Sequence, residues 1–333
     1  MIGWYVHHHG SGHLHRARAV QNALSTPTTV LSSLSRPLDW HGPWVRLERD
    51  DTGPTRQPDA DGRLHWAPLR HPGLATRMAQ VSDWIRAARP ALLVCDVSVE
   101  VSLLARLHGI PVVSVAMPGD RSDPPHRLGY DVSTVLIGCW PNDAGDVFRS
   151  APEAVAKLRS VGGLSRFPVA PTGPRRAGPP RVSVLLGTGG SDITASMIDD
   201  ARSQSPEWEW TVMGRHLDRW SATPFDAVRD ADVVVTQAGQ NAIAEVAAAR
   251  RPAVVIPADR PHDEQRATAR ALAEGDWPAV VRPTWPHTGW AELLQHAAGL
   301  DHTRWAAWCD GQAALRFAAI VDELAERYLT DAS

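Results

Sequence analysis

The chain has 333 residues and a formal charge of −3 from 34 basic and 37 acidic side chains, and Lys157 is the sole lysine, the other basic residues being arginine. Phosphate loops of the Gly-Lys-Ser/Thr kind and Schiff-base enzymes both need a lysine in a prepared setting, whereas Lys157 lies in an alanine-rich helical stretch at 152–158 with no glycine loop before it. Balanced charge without a long basic run argues against nucleic acid as a partner, and no run approaches the ~18 apolar residues of a membrane span.

Apolar runs, turns and helical segments alternate along the chain, as they do in parallel α/β layers. Residues 2–7 read as a buried strand, 13–24 as a helix and 28–31 as a second strand. Residues 34–72, rich in Pro, Gly, Asp and Arg, read as loops around a short strand at 64–66, an insertion of the kind that carries specificity. Leu74, Met78, Val81 and Ile85 follow at helical spacing and are expected to face the core, a membrane-surface patch being the other reading. Strands are expected at 91–96, 111–116 and 134–139, with a helix at 99–107. Gly162, Gly163, Pro168, Pro171, Pro174, Pro179 and Pro180 then break the pattern and suit an interdomain linker. The expected division is a first domain at 1–165, a linker at 166–180 and a second domain at 181–333. In the second domain strands are expected at 182–186, 210–213, 233–236, 253–256 and 279–281. Helices are expected at 193–203, 241–249, 263–273 and 290–298, and a long one from about 303 to 329 that can pack back on the first domain.

Three strand–turn–helix junctions concentrate polar residues. The first is Gly10-Ser11-Gly12-His13-Leu14-His15-Arg16. Glycines there let backbone N–H groups approach an anion. The dinucleotide fingerprint nonetheless fails, because His15 stands where a third glycine is needed and the second strand ends Leu31-Ser32-Ser33 without an acid for a ribose. At the second junction, Gly187-Thr188-Gly189-Gly190-Ser191-Asp192, Ser191 can meet a phosphate and Asp192 can cap the helix. The third runs from Thr236 through Gly239, Gln240 and Asn241 to Glu245, and the next strand leads to His262-Asp263-Glu264-Gln265-Arg266. A carboxylate near a phosphate turn suits ribose hydroxyls, and Glu264 and Gln265 suit sugar hydroxyls for the same reason. Packing or capping would explain any one of these alone; their order points to a site.

Taken together, Gly-Ser-Gly-His-Leu-His-Arg at 10–16, Gly-Gly-Ser at 189–191, Thr-Gln-Ala-Gly-Gln-Asn-Ala-Ile-Ala-Glu-Val at 236–246, Pro-Ala-Val-Val-Ile-Pro at 252–257 and Asp-Glu-Gln at 263–265 resemble the GT-B glycosyltransferases. The likeness is to those similar to the N-acetylglucosaminyltransferase of lipid II synthesis. It is best over 181–275, good at 2–20 and weak across 34–180, the acceptor side. It implies an α/β fold of two Rossmann-like domains with parallel sheets facing across a cleft. It also implies a UDP-linked nucleotide-diphospho-sugar donor held by the second domain, and inversion at the anomeric carbon with no metal or cofactor required. On the matching positions, His13 is the candidate general base. Gly189, Gly190 and Ser191 lie near the donor phosphates, and Gly239, Gln240 and Asn241 form the second phosphate turn. Glu245 matches the ribose ligand, and Phe225 falls in the base-contacting segment. Glu264 and Gln265 match a pair that reads the transferred sugar, where the family often has Gln-Gln; Glu264 is a departure that bears on the sugar's identity. Gly10, Ser11, Gly12, Arg16 and Glu100 fall on the acceptor side.

Such a transfer needs a base for the acceptor hydroxyl, and histidine titrates near neutrality. Helix N-termini, backbone donors and arginine, with Arg215 the candidate, can stabilise the departing diphosphate without lysine. Asp96 and Glu100 can orient His13 or replace it as base. A metal is not expected at His7, His8, His9, His13 and His15, since neighbours on a strand point to opposite faces and no carboxylate or cysteine is near in sequence. Asp59-Ala60-Asp61 and Asp230-Ala231-Asp232 match only the short Asp-X-Asp motif of metal-dependent transferases, and Trp40, Trp44 and Trp66 can stack on sugars or simply pack. Partners are then the nucleotide-sugar and a hydroxyl acceptor, lipid-linked or small, with peripheral membrane contact in the former case. Three scattered cysteines and the absence of a basic leader suit the cytoplasm. Two rivals share these features. One is a nucleotide-sugar hydrolase of the pseudaminic acid pathway type, with its Gly-X-Gly-His-X-X-Arg loop and Gly-Gly-Ser-Asp turn. The other is a non-catalytic nucleotide-sugar-binding module.

Overall fold

A computed structural model describes residues 1–171, 178–187, 190–214, 217 and 224–330. Two parallel sheets organise them. The larger runs Trp44–Arg46, Thr28–Ser32, Ile2–Val6, Leu93–Asp96, Val112–Ala116, Val135–Gly138, Leu158–Ser160. The smaller runs Glu209–Met213, Arg181–Leu185, Val233–Thr236, Ala253–Val255, Ala279–Val281. Parallel strands need crossover helices, so both faces are covered and the central strands are mostly apolar; Ile2–Val6 and Leu93–Asp96 are buried at every residue. In each sheet the order reverses beside its first strand, between Ile2–Val6 and Leu93–Asp96 and between Arg181–Leu185 and Val233–Thr236. Those are the topological switch points where open α/β sheets bind ligands. The glycine turns singled out in the sequence follow three of these four strands.

The strand in the 34–72 insertion lies at Trp44–Arg46, not at 64–66. Thr28–Ser32 has an open edge that Trp44–Arg46 fills, and Leu64 to Trp66 become a loop whose backbone is tied down by Glu100: Oε1 accepts from the N–H groups of His65 (2.8 Å) and Trp66 (2.9 Å). The expected Asp192 cap is also displaced, since Thr194 accepts from the Met197 N–H and starts helix Ala195–Ser203. The long C-terminal helix is broken into a 3-10 turn at His302–Arg304, a short helix at Trp305–Trp308 and the helix Ala313–Thr330. The left-handed Gly311 (φ 82°) sits in the gap. The break sends the two segments to different cores. Trp305 and Trp308 pack beneath the smaller sheet, and Ala313–Thr330 crosses back to the larger one. There Phe317 stacks on Trp4 (5.3 Å, 14°), and Asp322 accepts from the N–H groups of Ser25 and Thr26 at 2.8 and 3.0 Å. Burial of Phe317, Val321 and Leu324 stabilises this docking by about 1.5–3 kcal/mol each.

Helix Pro72–Ala88 buries Val81 and Ile85 and packs Met78 against the same core, so its apolar stripe faces inward rather than towards a membrane. Among the described residues no helix is long and apolar enough to cross one. Lys157 is half-buried, its Nζ donating to the carbonyls of Tyr130 (2.9 Å) and Asp131 (2.8 Å) at the end of helix Pro124–Val132.

The two halves meet closely at Gly119, where φ is 104° and a Cβ would lie 2.2 Å from the His262 carbonyl oxygen. Only glycine fits there. The Gly119→Ala variant should lose about 1–3 kcal/mol from backbone strain alone and melt several degrees lower; an unchanged melting temperature would mean that the halves separate freely at this point.

Candidate active site

His13 stands in the first turn of helix Gly12–Gln21, at the end of the cleft between the sheets. Its Nδ1 lies 2.9 Å from Oδ1 of Asp96, which ends strand Leu93–Asp96 and is wholly buried. Burial opposes the charge on Asp96, but Arg16 and His13 outweigh it and hold the carboxyl below its ordinary value. An ionised Asp96 only accepts, so the His13 Nδ1 carries the proton and Nε2 is left as an acceptor. Arg16 is buried beneath them. Its Nη1 donates to Asp96 Oδ1, and its Nη2 reaches across to Gln240 Oε1 at 2.8 Å.

The cleft has a volume of about 470 Å³ and is lined from both halves. On the far wall, helix Gln240–Ala248 begins after Gly239 with no acidic residue in its first turn, so its free N–H groups face the space His13 faces. The Asn241 amide comes so near Gly12 that a Cβ there would lie 2.8 Å from Nδ2. Glu245, one turn on, is buried, and burial raises its carboxyl pKa against the opposing charge of Arg166, whose Nε donates to Oε1 at 2.8 Å. Gln265 uses Oε1 to accept from the Ala258 N–H (2.9 Å) and directs its amide nitrogen towards Gly239. Glu264 lines the cleft, 3.5 Å from Nη2 of Arg121.

A second cavity of about 260 Å³ opens within the first half, lined among others by Tyr5, His7, Asp51, Trp66 and Glu100. The ring of His7 lies 5.8 Å from that of His13. The N-terminal histidines do not alternate, because the strand ends at Val6 and the rings of His7 and His8 stack at 4.8 Å. Carboxylates do reach them: Asp51 Oδ2 is 3.3 Å from Nε2 of both His8 and His9. Burial, with neighbouring His13, drives His7 from 6.5 down to about 2, and burial with Arg166 brings His15 to about 4. Below pH 6.5 the unfolded chain therefore takes up protons that the folded one refuses, so stability present above that pH is lost as it falls towards 4 and below. The melting temperature should decline steadily from pH 7 to pH 5, and a flat profile would contradict the burial of these rings.

Comparison with known proteins follows the same lines. Residues 184–281 match the glycosyltransferase family 28 C-terminal domain. Among solved structures, MurG of Acinetobacter baumannii superposes with a TM-score of 0.65 over 97% of this chain and 99% of its own, at 14% identity. The calicheamicin glycosyltransferase CalG4 gives 0.62 over 99% and 98%, at 17% identity. The chain has the GT-B fold. The glycosyltransferase VinC, solved with dTDP, gives 0.60 over 98% and 99%, at 16% identity. No curated protein matches in sequence. The match to a family 28 C-terminal domain over 184–281 thus lies on a GT-B frame like that of MurG.

Set on the GT-B frame, the sequence-derived residues divide clearly. The cleft gathers Ser11, Gly12, His13, Arg16, Gly239, Gln240, Asn241, Glu245 and Glu264 on its lining. Gln265 and Asp96 stand just behind it. Gly10 is exposed in the turn before them, with φ 76°. Ser191 accepts from the Ile193 N–H, and the Gly190 carbonyl accepts from Arg260. Glu100 lines the second cavity and pins the 64–66 loop, its carboxylate accepting from the His65 and Trp66 N–H groups and from the Ser98 hydroxyl. Phe225 stacks on Phe167 of the connecting segment, 4.4 Å between ring centres. Gly189 and Arg215 lie outside the described residues. Trp40 and Trp44 are packing residues, whereas Trp66 lines the second cavity. Sequence reasoning missed Arg166, which the connecting segment delivers to Glu245 from 79 positions away; an arginine in a proline-rich stretch carries no local signal.

Proposed function

We propose that the chain is an inverting, metal-independent glycosyltransferase that moves a sugar from a nucleotide-diphospho-sugar to an acceptor hydroxyl. His13 Nε2 takes the hydroxyl proton as the acceptor oxygen bonds to the anomeric carbon, and the bond from that carbon to the phosphate oxygen breaks. The nucleoside diphosphate leaves with the electron pair. Its charge develops against the N–H groups opening helix Gln240–Ala248, where preorganised donors act at low cost. Glu245 binds the ribose, and Glu264 and Gln265 read the sugar. The observation that carries this reading is the His13–Asp96 pair, with its free nitrogen facing a helix N-terminus and a buried carboxylate across one cleft. The second cavity of about 260 Å³ in the first half, one of whose lining rings, His7, lies 5.8 Å from the His13 ring, offers room for an acceptor and supports transfer over hydrolysis.

The nucleobase is open between the UDP implied by the sequence resemblance and the dTDP found with VinC. A thermal-shift series over UDP- and dTDP-sugars tests the donor site, since a ligand bound by the folded state raises its melting temperature. One donor class should raise it at sub-millimolar concentration; a flat response to every nucleotide-sugar would end the proposal.

A further inference from the structure

Four side chains at the contact between the halves take no part in this chemistry. His65 comes from the loop held by Glu100, Asp123 and His126 from the start of helix Pro124–Val132, and His262 from the 3-10 turn Pro261–Asp263 after strand Ala253–Val255. Their potential ligand atoms all lie within 4.8 Å of one another. His262 Nδ1 is 3.1 Å from Asp123 Oδ2, and His65 Nε2 is 3.7 Å from Asp123 Oδ1. That His65 nitrogen is buried and has no hydrogen-bond partner among the described residues. His126 plays a different part. Arg121 can only donate, and its Nη1 lies 3.4 Å from His126 Nε2; the proton of the ring is thereby placed on Nδ1, which donates to Asp123 Oδ2 at 2.7 Å.

The geometry points to a divalent transition-metal site of the zinc kind, with His65 Nε2, His262 Nδ1 and the Asp123 carboxylate as ligands and His126 as the residue that positions the carboxylate. Two imidazoles and one carboxylate suit zinc or cobalt rather than magnesium or calcium, which prefer all-oxygen shells. Zinc bonds of about 2.0–2.2 Å need ligand atoms roughly 3.3 Å apart, and the carboxylate oxygens stand 3.1 Å from His262 Nδ1 and 3.7 Å from His65 Nε2. The carboxylate is already oriented by the His126 N–H, the support that metal ligands characteristically have. Glu264 faces Arg121 and offsets the guanidinium nearest the site. The second histidine-rich group, His8, His9 and Asp51, fails the same test. Arg77 donates to His8 Nδ1 (3.1 Å), so Nε2 bears the proton and has no lone pair to offer a metal. Because His65 and Asp123 belong to one half and His262 to the other, an ion here ties the two halves together. This is independent of the transfer reading, since it concerns neither the donor nor the acceptor.

The test is titration of the chelator-stripped full chain with Co²⁺, followed by displacement with Zn²⁺. One equivalent of Co²⁺ should bind with the visible absorption of a four- or five-coordinate imidazole site, and Zn²⁺ should abolish that absorption and raise the melting temperature. His262→Ala and His65→Ala should each remove the absorption and the thermal gain, and His126→Ala should weaken Zn²⁺ binding about 10- to 100-fold. Asp51→Asn should bind as the parent does. Far-ultraviolet circular dichroism of the metal-free variants separates lost ligands from lost folding, and His262→Ala, in a loop, carries the test if His65→Ala does not fold. Absence of stoichiometric binding, binding that survives both ligand variants, or binding lost with Asp51→Asn would each overturn the site.

Discussion

Replacing His13 with alanine should lower kcat by roughly 10²- to 10⁴-fold while donor affinity shifts by less than about threefold. The basis is geometric. Nδ1 is committed to Asp96 at 2.9 Å, so the opposite nitrogen is the only one of the ring facing the cleft. The donor's helix N-terminus and Glu245 sit on the other wall and do not touch this ring. Asp96→Asn keeps the shape but removes the charge that Arg16 and His13 share, and it should also cut kcat steeply without altering donor binding. A His13→Ala enzyme turning over at the parental rate would remove His13 as base and reopen the assignment among the remaining carboxylates.

The second large effect is expected at Glu245. Its truncation to alanine should weaken donor binding by about 2–3 kcal/mol, or roughly 30- to 150-fold, because a hydrogen-bonded buried charge is lost and Arg166 is left without its partner. Turnover at saturating donor should change far less, since the ribose lies away from the bond that breaks. Arg166→Ala is the informative companion. Burial already raises the Glu245 carboxyl pKa, and Arg166 opposes that rise. Without the arginine, donor binding should become weaker at mildly acidic pH than in the parent. Equal donor dissociation constants for the parent and Glu245→Ala would show that the ribose is held elsewhere.

What could be read from the sequence was local. Strands such as Ile2–Val6 and Val233–Thr236 announce themselves as unbroken apolar runs, and the turns after them carry glycines and polar residues at fixed offsets. His13, Gly239 and Glu245 were reachable for that reason. Other features had signals that were passed over: Asp123 before Pro124 and Pro125 is a helix start, with its Oδ1 accepting from the His126 N–H, and Gly311 marks the break in the last helix. The rest depends on partners far apart along the chain. Asp51 meets His8 and His9, Arg166 meets Glu245, and His262 meets Asp123, all through the packing of whole elements. The choice of Trp44–Arg46 over 64–66 was of the same kind, because two similar short runs competed for one open sheet edge.

The return of helix Ala313–Thr330 to Trp4 and Val20 has a consequence for how the molecule is made. Domains usually fold in the order in which the ribosome releases them. Here the half translated first cannot close over its hydrophobic interior until residues beyond 320 have emerged, whereas the smaller sheet and its helices, 181–298, are complete before then. The nascent chain therefore carries an unfinished amino-terminal half through most of its synthesis. A stop codon just before residue 313 would spare the donor half and strand the half that holds His13.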